Sequence, residues 1–270
     1  LEEFISKGVL PTRRKHVSNF HYSSWQQKYL TSTQGIKSRD FWLDYLGDIP
    51  VLDVQKSKKN NVNKGIKQTM LIDTSEIKDI ERLSKKLRVP VAGLFMAYHQ
   101  VLLQECSNNK SSIQLVLVNG RESFTDVFDT SSVLGVVNNV IPIKLAKNTG
   151  ADLCSTVQLE YLNARQHQSI PYETIRKDVL TQTTIDIDSY KKGFINIKQM
   201  EGVFREGEFQ NFSIVDCKLK RDLYLDLSCV IKKNGIQLEL MCDKKIYDKY
   251  KKSLFNVKDF IPNMIRKLSH

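Results

Sequence analysis

The sequence predicts a mixed α/β or α+β fold in which helices cover a sheet. Three observations carry this prediction. Apolar residues recur at helical spacing from Ile77 to Leu87, hydrophobic residues alternate with polar ones from Leu223 to Cys242, and a continuous apolar run, IQLVLV, begins at Ile113. Because segments of the two kinds are interleaved along the chain, we expect helices and strands to pack in shared layers.

Composition limits the classes of protein to which the chain can belong. With 41% hydrophobic and 26% charged residues, the 270-residue chain is typical of a globular protein with one large domain or two small ones. No run approaches the roughly 18 apolar residues of a membrane helix. The first residues, LEEFISKG, lack the features of a signal peptide, and the chain begins with Leu, which suggests a piece of something longer.

The cysteines and the basic charge indicate the protein's surroundings. Five widely and irregularly spaced cysteines without a CxxC pair fit buried thiols in a reducing cytoplasm and imply no metal site. The net charge of +11 favours an acidic partner. Nucleic acid is one candidate, but the lysines are scattered and carry no RNA- or DNA-binding motif, so an acidic protein or a phosphate-bearing arm is a comparable alternative.

The first hundred residues predict helices with one intervening strand. After a helix tail and a basic loop, two aromatic-rich stretches, 22–29 and 39–46, have a helical pattern, and the polar segment 55–65 is expected to be an exposed, mobile loop. A strand over 66–72 precedes the amphipathic helix of Ile77–Leu87, for which Asp73 is the expected N-cap.

Pro90 is expected in the first turn of the next helix, whose apolar positions form one stripe as far as Leu102. His99 lies off this stripe. We therefore interpret it as a surface or capping group without a catalytic role.

The stretch from Ile113 to Lys144 is predicted to hold two apolar strands joined by a loop that carries Gly120 and Arg121. The second strand, within VLGVVNNVIPIKL, is apolar on both faces, which favours the middle of a covered sheet. Asn138 and Asn139 interrupt it with side-chain amides that need hydrogen-bond partners. Either neighbouring backbone satisfies them, which the pattern alone favours, or they line a cavity where a ligand can use them.

The remainder of the chain predicts a helix over 151–166, a loop broken at Pro171, and then strands from Gly193 onward. Asn234 and Gly235 are expected to form the turn of a β-hairpin, since alternating strands flank them. A final helix is expected over 247–268, with Pro262 bending it or starting a new turn.

Three segments resemble motifs of the condensation domains of non-ribosomal peptide synthetases, which share the fold of chloramphenicol acetyltransferase. YSSWQ from Tyr22 is similar to Y-A-x-W-Q, LGVVNNVIPIK from Leu134 is similar to I-G-x-F-V-N-T-x-P-L-R, and HQSIPYE from His167 is similar to H-Q-D-x-P-F-E. The turn VNGRE and the segment KRDL from Lys220 also match, so the resemblance covers essentially the whole chain.

The resemblance covers only the second half of the family's pattern. The family's catalytic motif, HHxxxDG, would lie shortly before Leu1, and no pair of adjacent histidines occurs in the chain. The late motif R-D-x-S-R-N-P-L is also unrecognisable near Asp186. The resemblance therefore implies linker and helices over 1–50, the C-terminal lobe of a condensation domain over 51–270, and a segment that crosses to a missing N-terminal lobe.

The resemblance also suggests roles for particular residues, although it places no catalytic residue in this chain. One group is expected at the substrate tunnel or the lobe interface, a second closes a loop, and a third anchors a helix. The residues expected at the tunnel or the lobe interface are Gly135, Asn138, Asn139 and Arg121. Those expected to close the loop are His167, Gln168 and Pro171, and those expected to anchor the helix are Tyr22 and Trp25.

The function implied is amide-bond formation between a carrier-bound acyl or peptidyl donor and an aminoacyl acceptor. Phosphopantetheine arms would bring the substrates, without a covalently bound cofactor or a metal. Peptidyl or acyl carrier proteins, the other lobe and an adjacent adenylation domain are the expected partners, and neither nucleic acid nor a membrane is. Alternatives are a non-catalytic relative that docks carrier proteins or recruits a partner enzyme, an epimerising or heterocyclising relative, and an acetyltransferase of the related fold.

Overall fold

The computed structural model describes residues 17–49, 65–72, 74–107, 113–123, 133–146, 148–183, 185–187, 192–199, 225–232, 235–252, 256 and 259–269. The strands within these ranges are β1 (Val17–Ser18), β2 (Gly65–Ile72), β3 (Ile113–Asn119), β4 (Val133–Leu134), β5 (Asn138–Lys144), β6 (Lys192–Gln199), β7 (Leu225–Lys232) and β8 (Gly235–Asp243). The helices are α1 (Asn19–Thr31), α2 (Thr33–Gly47), α3 (Thr74–Leu87), α4 (Val91–Ser107), α5 (Gly150–Arg165), α6 (Tyr172–Thr183), α7 (Lys244–Tyr250) and α8 (Phe260–Ser269).

Six of these strands form one mixed sheet in the order β2-β8-β7-β6-β3-β5. The β3–β6 and β6–β7 pairs are parallel, whereas β2–β8, β7–β8 and β3–β5 are antiparallel. Strand β8 shows the predicted alternation, because Ile236, Leu238, Leu240 and Cys242 are buried and the residues between them are partly exposed. A mixed sheet with helices against it confirms the predicted fold class.

The helices form the core with the sheet. Helix α4 is buried along most of its length and lies against β6 and β7, while α5 and α6 lie against β5. The amphipathic helix α3 buries Ile80 and Leu83 as its spacing predicts. Trp42 on α2 is among the largest fully buried side chains, so the aromatic-rich region belongs to the same core.

Strand β5 lies at an edge of the sheet, so its predicted place in the middle is wrong. Within the described residues it pairs only with β3, but α5 and α6 cover it, which explains why its pattern is apolar on both faces. Pro142 is the signal that could have predicted an edge, because proline cannot donate to a second neighbour. The predicted strand is divided into β4 and β5 around Gly135–Val137, and only β5 belongs to this sheet.

Two backbone donors along the outer edge of β5 are occupied. Val140 donates its backbone N–H to the side-chain Oδ1 of Asn139 at 2.8 Å, and Lys144 donates its own to the Tyr45 hydroxyl at 3.1 Å. Pro142, between them, has no N–H to offer. These two occupied donors, with the proline between them, make the stretch from Val140 to Lys144 a poor template for pairing with another strand.

Several other predicted elements, mostly in the second half of the chain, can be compared with the structure. The region 247–268 contains two helices, α7 and α8, instead of one, and Pro262 lies in the first turn of α8, where a missing N–H costs nothing. The β7–β8 hairpin is confirmed, with Lys232 opposite Gly235. The loop predicted over 55–65 lies outside the described residues except for Gly65, which begins β2. The Asp73 cap, Asn234 and the KRDL segment also lie outside them.

Candidate functional site

Asn139 joins β5 to the loop between α5 and α6. Its Nδ2 donates to the carbonyl oxygens of Gln168 and Ile170 at 2.7 and 2.6 Å. Its Oδ1 accepts from the backbone N–H groups of Val140 at 2.8 Å and Tyr172 at 3.2 Å. The half-buried amide is thus satisfied by backbone of this chain, which is the first of the two alternatives that the sequence left open.

The same loop is held from its other side by His167. The imidazole stacks on Phe41, with ring centroids 3.9 Å apart and an angle of 17° between the planes, and its Nδ1 lies 3.0 Å from the Ser38 hydroxyl. Trp42 donates its indole N–H to the His167 carbonyl at 3.1 Å. Partial burial lowers the pKa of His167. These contacts fix the loop to α2.

Gln168 and Pro171 complete the loop. Pro171 accepts backbone hydrogen bonds from Thr174 at 2.9 Å and Ile175 at 3.1 Å, so it initiates α6. The Gln168 side chain is 7% exposed, and its buried Oε1 has no hydrogen-bond partner among the described residues. The role in loop closure predicted for these residues is therefore consistent with their backbone contacts.

Arg121 organises the segment that precedes β5. Its guanidinium donates to the carbonyl oxygens of Val133 at 2.9 Å and Gly135 at 2.7 Å, and its backbone N–H donates to the side chain of Asn119 at 3.1 Å. Gly120, just before it, donates its N–H to the Val137 carbonyl at 2.8 Å. Arg121 and Gly135, two of the residues expected at the tunnel or lobe interface, are thus held together by a guanidinium that binds backbone.

Gly135 has a φ of +138°, a conformation that favours glycine. A Cβ at this position would also overlap the side-chain amide of Asn19 at the start of α1. Tyr22 and Trp25 on α1 pack against Val133 and Val137 in a small cluster separate from the main core. They hold α1 against this small cluster, and α1 itself contains no buried residue.

Two large apolar side chains are exposed in this region. Phe20 and Val136 are 79% and 78% exposed, and each is next in sequence to one of the residues that meet at the Asn19–Gly135 contact. Asn138, at the start of β5 opposite Asn119, is exposed as well. We call the exposed residues Phe20, Gly135, Val136 and Asn138 the α1–β4 surface. Two of them, Gly135 and Asn138, are among the predicted interface residues.

The contacts of Asn139, His167 and Arg121 position backbone segments. Within the described ranges, no group of three His, Cys, Asp or Glu side chains is placed to hold a metal ion. In the same part of the chain, no helix is long and apolar enough to cross a membrane. The cysteines described, Cys106, Cys154, Cys229 and Cys242, are buried as expected and form no disulfide with one another.

The interpretation of His99 as a surface or capping group is wrong. The ring is fully buried between α4 and the sheet, and burial lowers its pKa to about 4. Its Nδ1 lies 2.8 Å from the Nε2 of Gln114, a polar residue within the run IQLVLV. Helical spacing was misleading because α4 is buried on nearly all sides, and Gln114 was the available signal of a polar partner.

Comparison with known families decides the assignment. The family model for the condensation domain matches residues 6–263. The chain belongs to the condensation-domain family. The resemblance that three short motifs suggested is thereby confirmed over nearly the whole length.

Relatives of this condensation domain include large synthetases. Bacitracin synthase 1 of Bacillus licheniformis is 25% identical over 171 residues, which is 61% of this chain and 3% of that protein. A linear gramicidin synthase of Brevibacillus parabrevis is 24% identical over 175 residues, or 63% of this chain and again 3% of the relative. The chain therefore spans a small fraction of the curated relatives that it matches.

Solved structures support the fold of this condensation domain. VibH, a condensation enzyme of non-ribosomal peptide synthesis, superposes with a TM-score of 0.70 at 14% identity, covering 98% of this chain and 62% of that chain. The X-domain from teicoplanin biosynthesis gives 0.70 at 13% identity, with coverage of 98% and 64%. In both superpositions almost all of this chain matches less than two thirds of the other.

Proposed function

We propose that this chain is the C-terminal half of a condensation domain that forms an amide bond between a carrier-bound acyl or peptidyl donor and an aminoacyl acceptor. The carrying observation is the match of 98% of the chain to only 62% of a condensation enzyme. The unmatched part of that enzyme corresponds in size to a further lobe. In this proposal the second lobe supplies the catalytic histidine, and residues 1–50 lead from it into the lobe formed by 51–270.

The α1–β4 surface is the proposed contact with that second lobe. Phe20 and Val136 are more than three-quarters exposed and adjoin the Asn19–Gly135 contact in sequence, and exposed large apolar side chains favour a protein partner. Arg121 and Gly135 hold the segment in position through backbone contacts, as a preformed interface requires. Gly135, Asn138, Asn139 and Arg121 are assigned to this interface or to the tunnel beside it.

Two tethered substrates gain most from a tunnel between lobes, because orientation and exclusion of water both lower the barrier to aminolysis of a thioester. The phosphopantetheine arms of peptidyl or acyl carrier proteins would enter from opposite sides. The chain's net charge of +11 supports a partner class that is usually acidic. An adjacent adenylation domain is the further partner that this arrangement implies.

The proposal predicts that the chain alone forms no amide. His167 is the first residue that could contradict this, but its Nδ1 is engaged with Ser38 and its ring with Phe41. The test incubates the 270-residue chain with an acyl-loaded donor carrier and an aminoacyl-loaded acceptor carrier, and follows product by mass spectrometry. A longer protein that includes upstream residues with HHxxxDG is assayed in parallel.

Activity only in the longer protein supports the proposal, and His167→Asn in that protein should keep the chemistry if His167 serves the loop. Amide formation by the short chain, lost in His167→Asn, would overturn it. Carrier binding is measured separately at two ionic strengths, and affinity that does not fall with added salt would refute the electrostatic part.

The second candidate is a non-catalytic condensation-like domain that docks carrier proteins or recruits a partner enzyme. The similarity in fold to the X-domain from teicoplanin biosynthesis supports this second candidate function. Carrier binding without amide formation in the longer protein, together with a degraded HHxxxDG motif, would select this alternative.

A further inference from the structure

A chain of buried side-chain hydrogen bonds crosses the core from the end of β5 to the start of β7. Ala146 donates its backbone N–H to the Oε1 of Gln100 at 3.0 Å, and Gln100 Nε2 donates to Gln114 Oε1 at 3.2 Å. Gln114 Nε2 contacts His99 Nδ1 at 2.8 Å, and His99 Nε2 lies 3.3 Å from the Leu225 carbonyl. The three side chains are fully buried.

The backbone groups at the two ends determine the direction of every bond. A backbone N–H can only donate, so Ala146 places the oxygen of Gln100 toward itself and the nitrogen toward Gln114. Gln114 Nε2 also donates to the Met96 carbonyl at 2.9 Å, which fixes the second amide. His99 must therefore accept at Nδ1 and donate from Nε2 to the carbonyl of Leu225.

A second proton on His99 has no place in this arrangement. An N–H at Nδ1 would point at the amide N–H of Gln114. Rotating that amide would instead turn its oxygen toward the Met96 carbonyl and its nitrogen toward the nitrogen of Gln100. Each arrangement leaves buried polar groups in conflict, so protonation breaks the chain wherever the side chains turn.

Among the described residues, those that contact His99 offer no charge that could compensate. The neighbours of His99 on the sheet are Gln114 of β3, Gly193 of β6 and Leu225 of β7, and none of them is charged. Asp226 follows Leu225, but successive side chains point to opposite faces of a strand. Burial and the bond to Leu225 are the influences on the pKa of His99, and burial dominates.

We propose that the His99–Gln114–Gln100 chain is a proton-sensitive lock, which holds the end of β5 on α4 while His99 is neutral and releases it when His99 is protonated. The released end includes Lys144, whose carbonyl also accepts from Gln100 at 3.5 Å, and Ala146. Gln104, one turn further along α4, donates to the Ala146 carbonyl at 2.8 Å and is part of the same attachment.

The direction of the pH effect follows from the lowered pKa. When the lock opens, His99 regains the ordinary pKa of about 6.5. Between that pH and about 4, the open form binds a proton and the closed form does not. The lock is therefore fully closed above that pH and weakens as the pH falls toward 4, by up to about tenfold in the opening equilibrium for each unit.

The test measures hydrogen exchange at the Ala146 amide in the wild-type chain and in His99→Gln, which removes the titrating ring but retains a donor and an acceptor. We expect the protection of Ala146 in the wild type to fall relative to His99→Gln by at least about tenfold between pH 7 and pH 5. His21→Gln, a change at an exposed histidine on α1, should keep the wild-type response. Equal pH dependence in wild type and His99→Gln would overturn the proposal.

A second measurement needs no variant. The ¹⁵N shifts of the His99 ring at pH 7 should show a proton on Nε2 and a lone pair on Nδ1. A proton on Nδ1, or a charged ring, would contradict the assigned direction of the chain and with it the lock.

Discussion

Replacing Asn139 by Asp exchanges the side-chain NH2 group for an oxygen. The variant tests whether the Asn139 amide holds the loop between α5 and α6. The Nδ2 now donates to two carbonyl oxygens, at 2.7 and 2.6 Å. An aspartate keeps the two acceptor bonds from Val140 and Tyr172 but places an anionic oxygen against both carbonyls. The variant thus converts two favourable contacts into two repulsive ones at nearly unchanged volume.

The expected cost follows from these contacts. Two lost hydrogen bonds of about 1 kcal/mol each, and a desolvated charge facing two carbonyl dipoles, give a loss of about 4 kcal/mol at pH 7. The repulsion raises the pKa of the new carboxyl in the folded state, so the protonated form is the better tolerated one. The destabilisation is largest above that raised pKa and shrinks as the pH falls through it toward the unfolded value of about 3.9.

Urea unfolding, followed by circular dichroism at pH 7 and pH 5, measures this effect. Asn138→Asp is the matched control, because its exposed side chain should change stability by no more than about 0.5 kcal/mol. The stability of Asn139→Asp, compared with Asn138→Asp, should improve at the lower pH. Equal stabilities of the two variants, or a difference that does not depend on pH, would refute the assignment of Asn139 as the loop's clamp.

Three further predictions concern other contacts. Arg39→Met removes a bidentate ion pair to Asp178, at 2.7 and 2.9 Å, and should lower the unfolding free energy by about 1 kcal/mol, with a smaller loss at high salt. Gly135→Ala should lower the Tm in a thermal melt because of its positive φ, whereas an unchanged Tm would mean that the segment rearranges. Phe20→Ser combined with Val136→Ser should reduce self-association in light scattering without lowering the Tm, and unchanged association would place the self-associating surface elsewhere.

The sequence determined most of the elements and the family. Local periodicity predicted α3 and the β7–β8 hairpin because each buries one face. The apolar residues of a buried face recur at a regular spacing in the sequence. Three motifs identified the family because Asn139 and His167 serve contacts that need their chemistry. Asn139 forms four hydrogen bonds with backbone, and few other side chains could do so.

Only the tertiary structure decided where the polar side chains of the core belong. His99 lies 15 residues from Gln114 along the chain and 126 from Leu225, so no local pattern could pair them. The edge position of β5 was hidden because α5 and α6, which follow it in the chain, cover it and make it resemble a central strand. Burial and hydrogen-bond direction are properties of the assembled layers, whereas periodicity records only that a face is apolar.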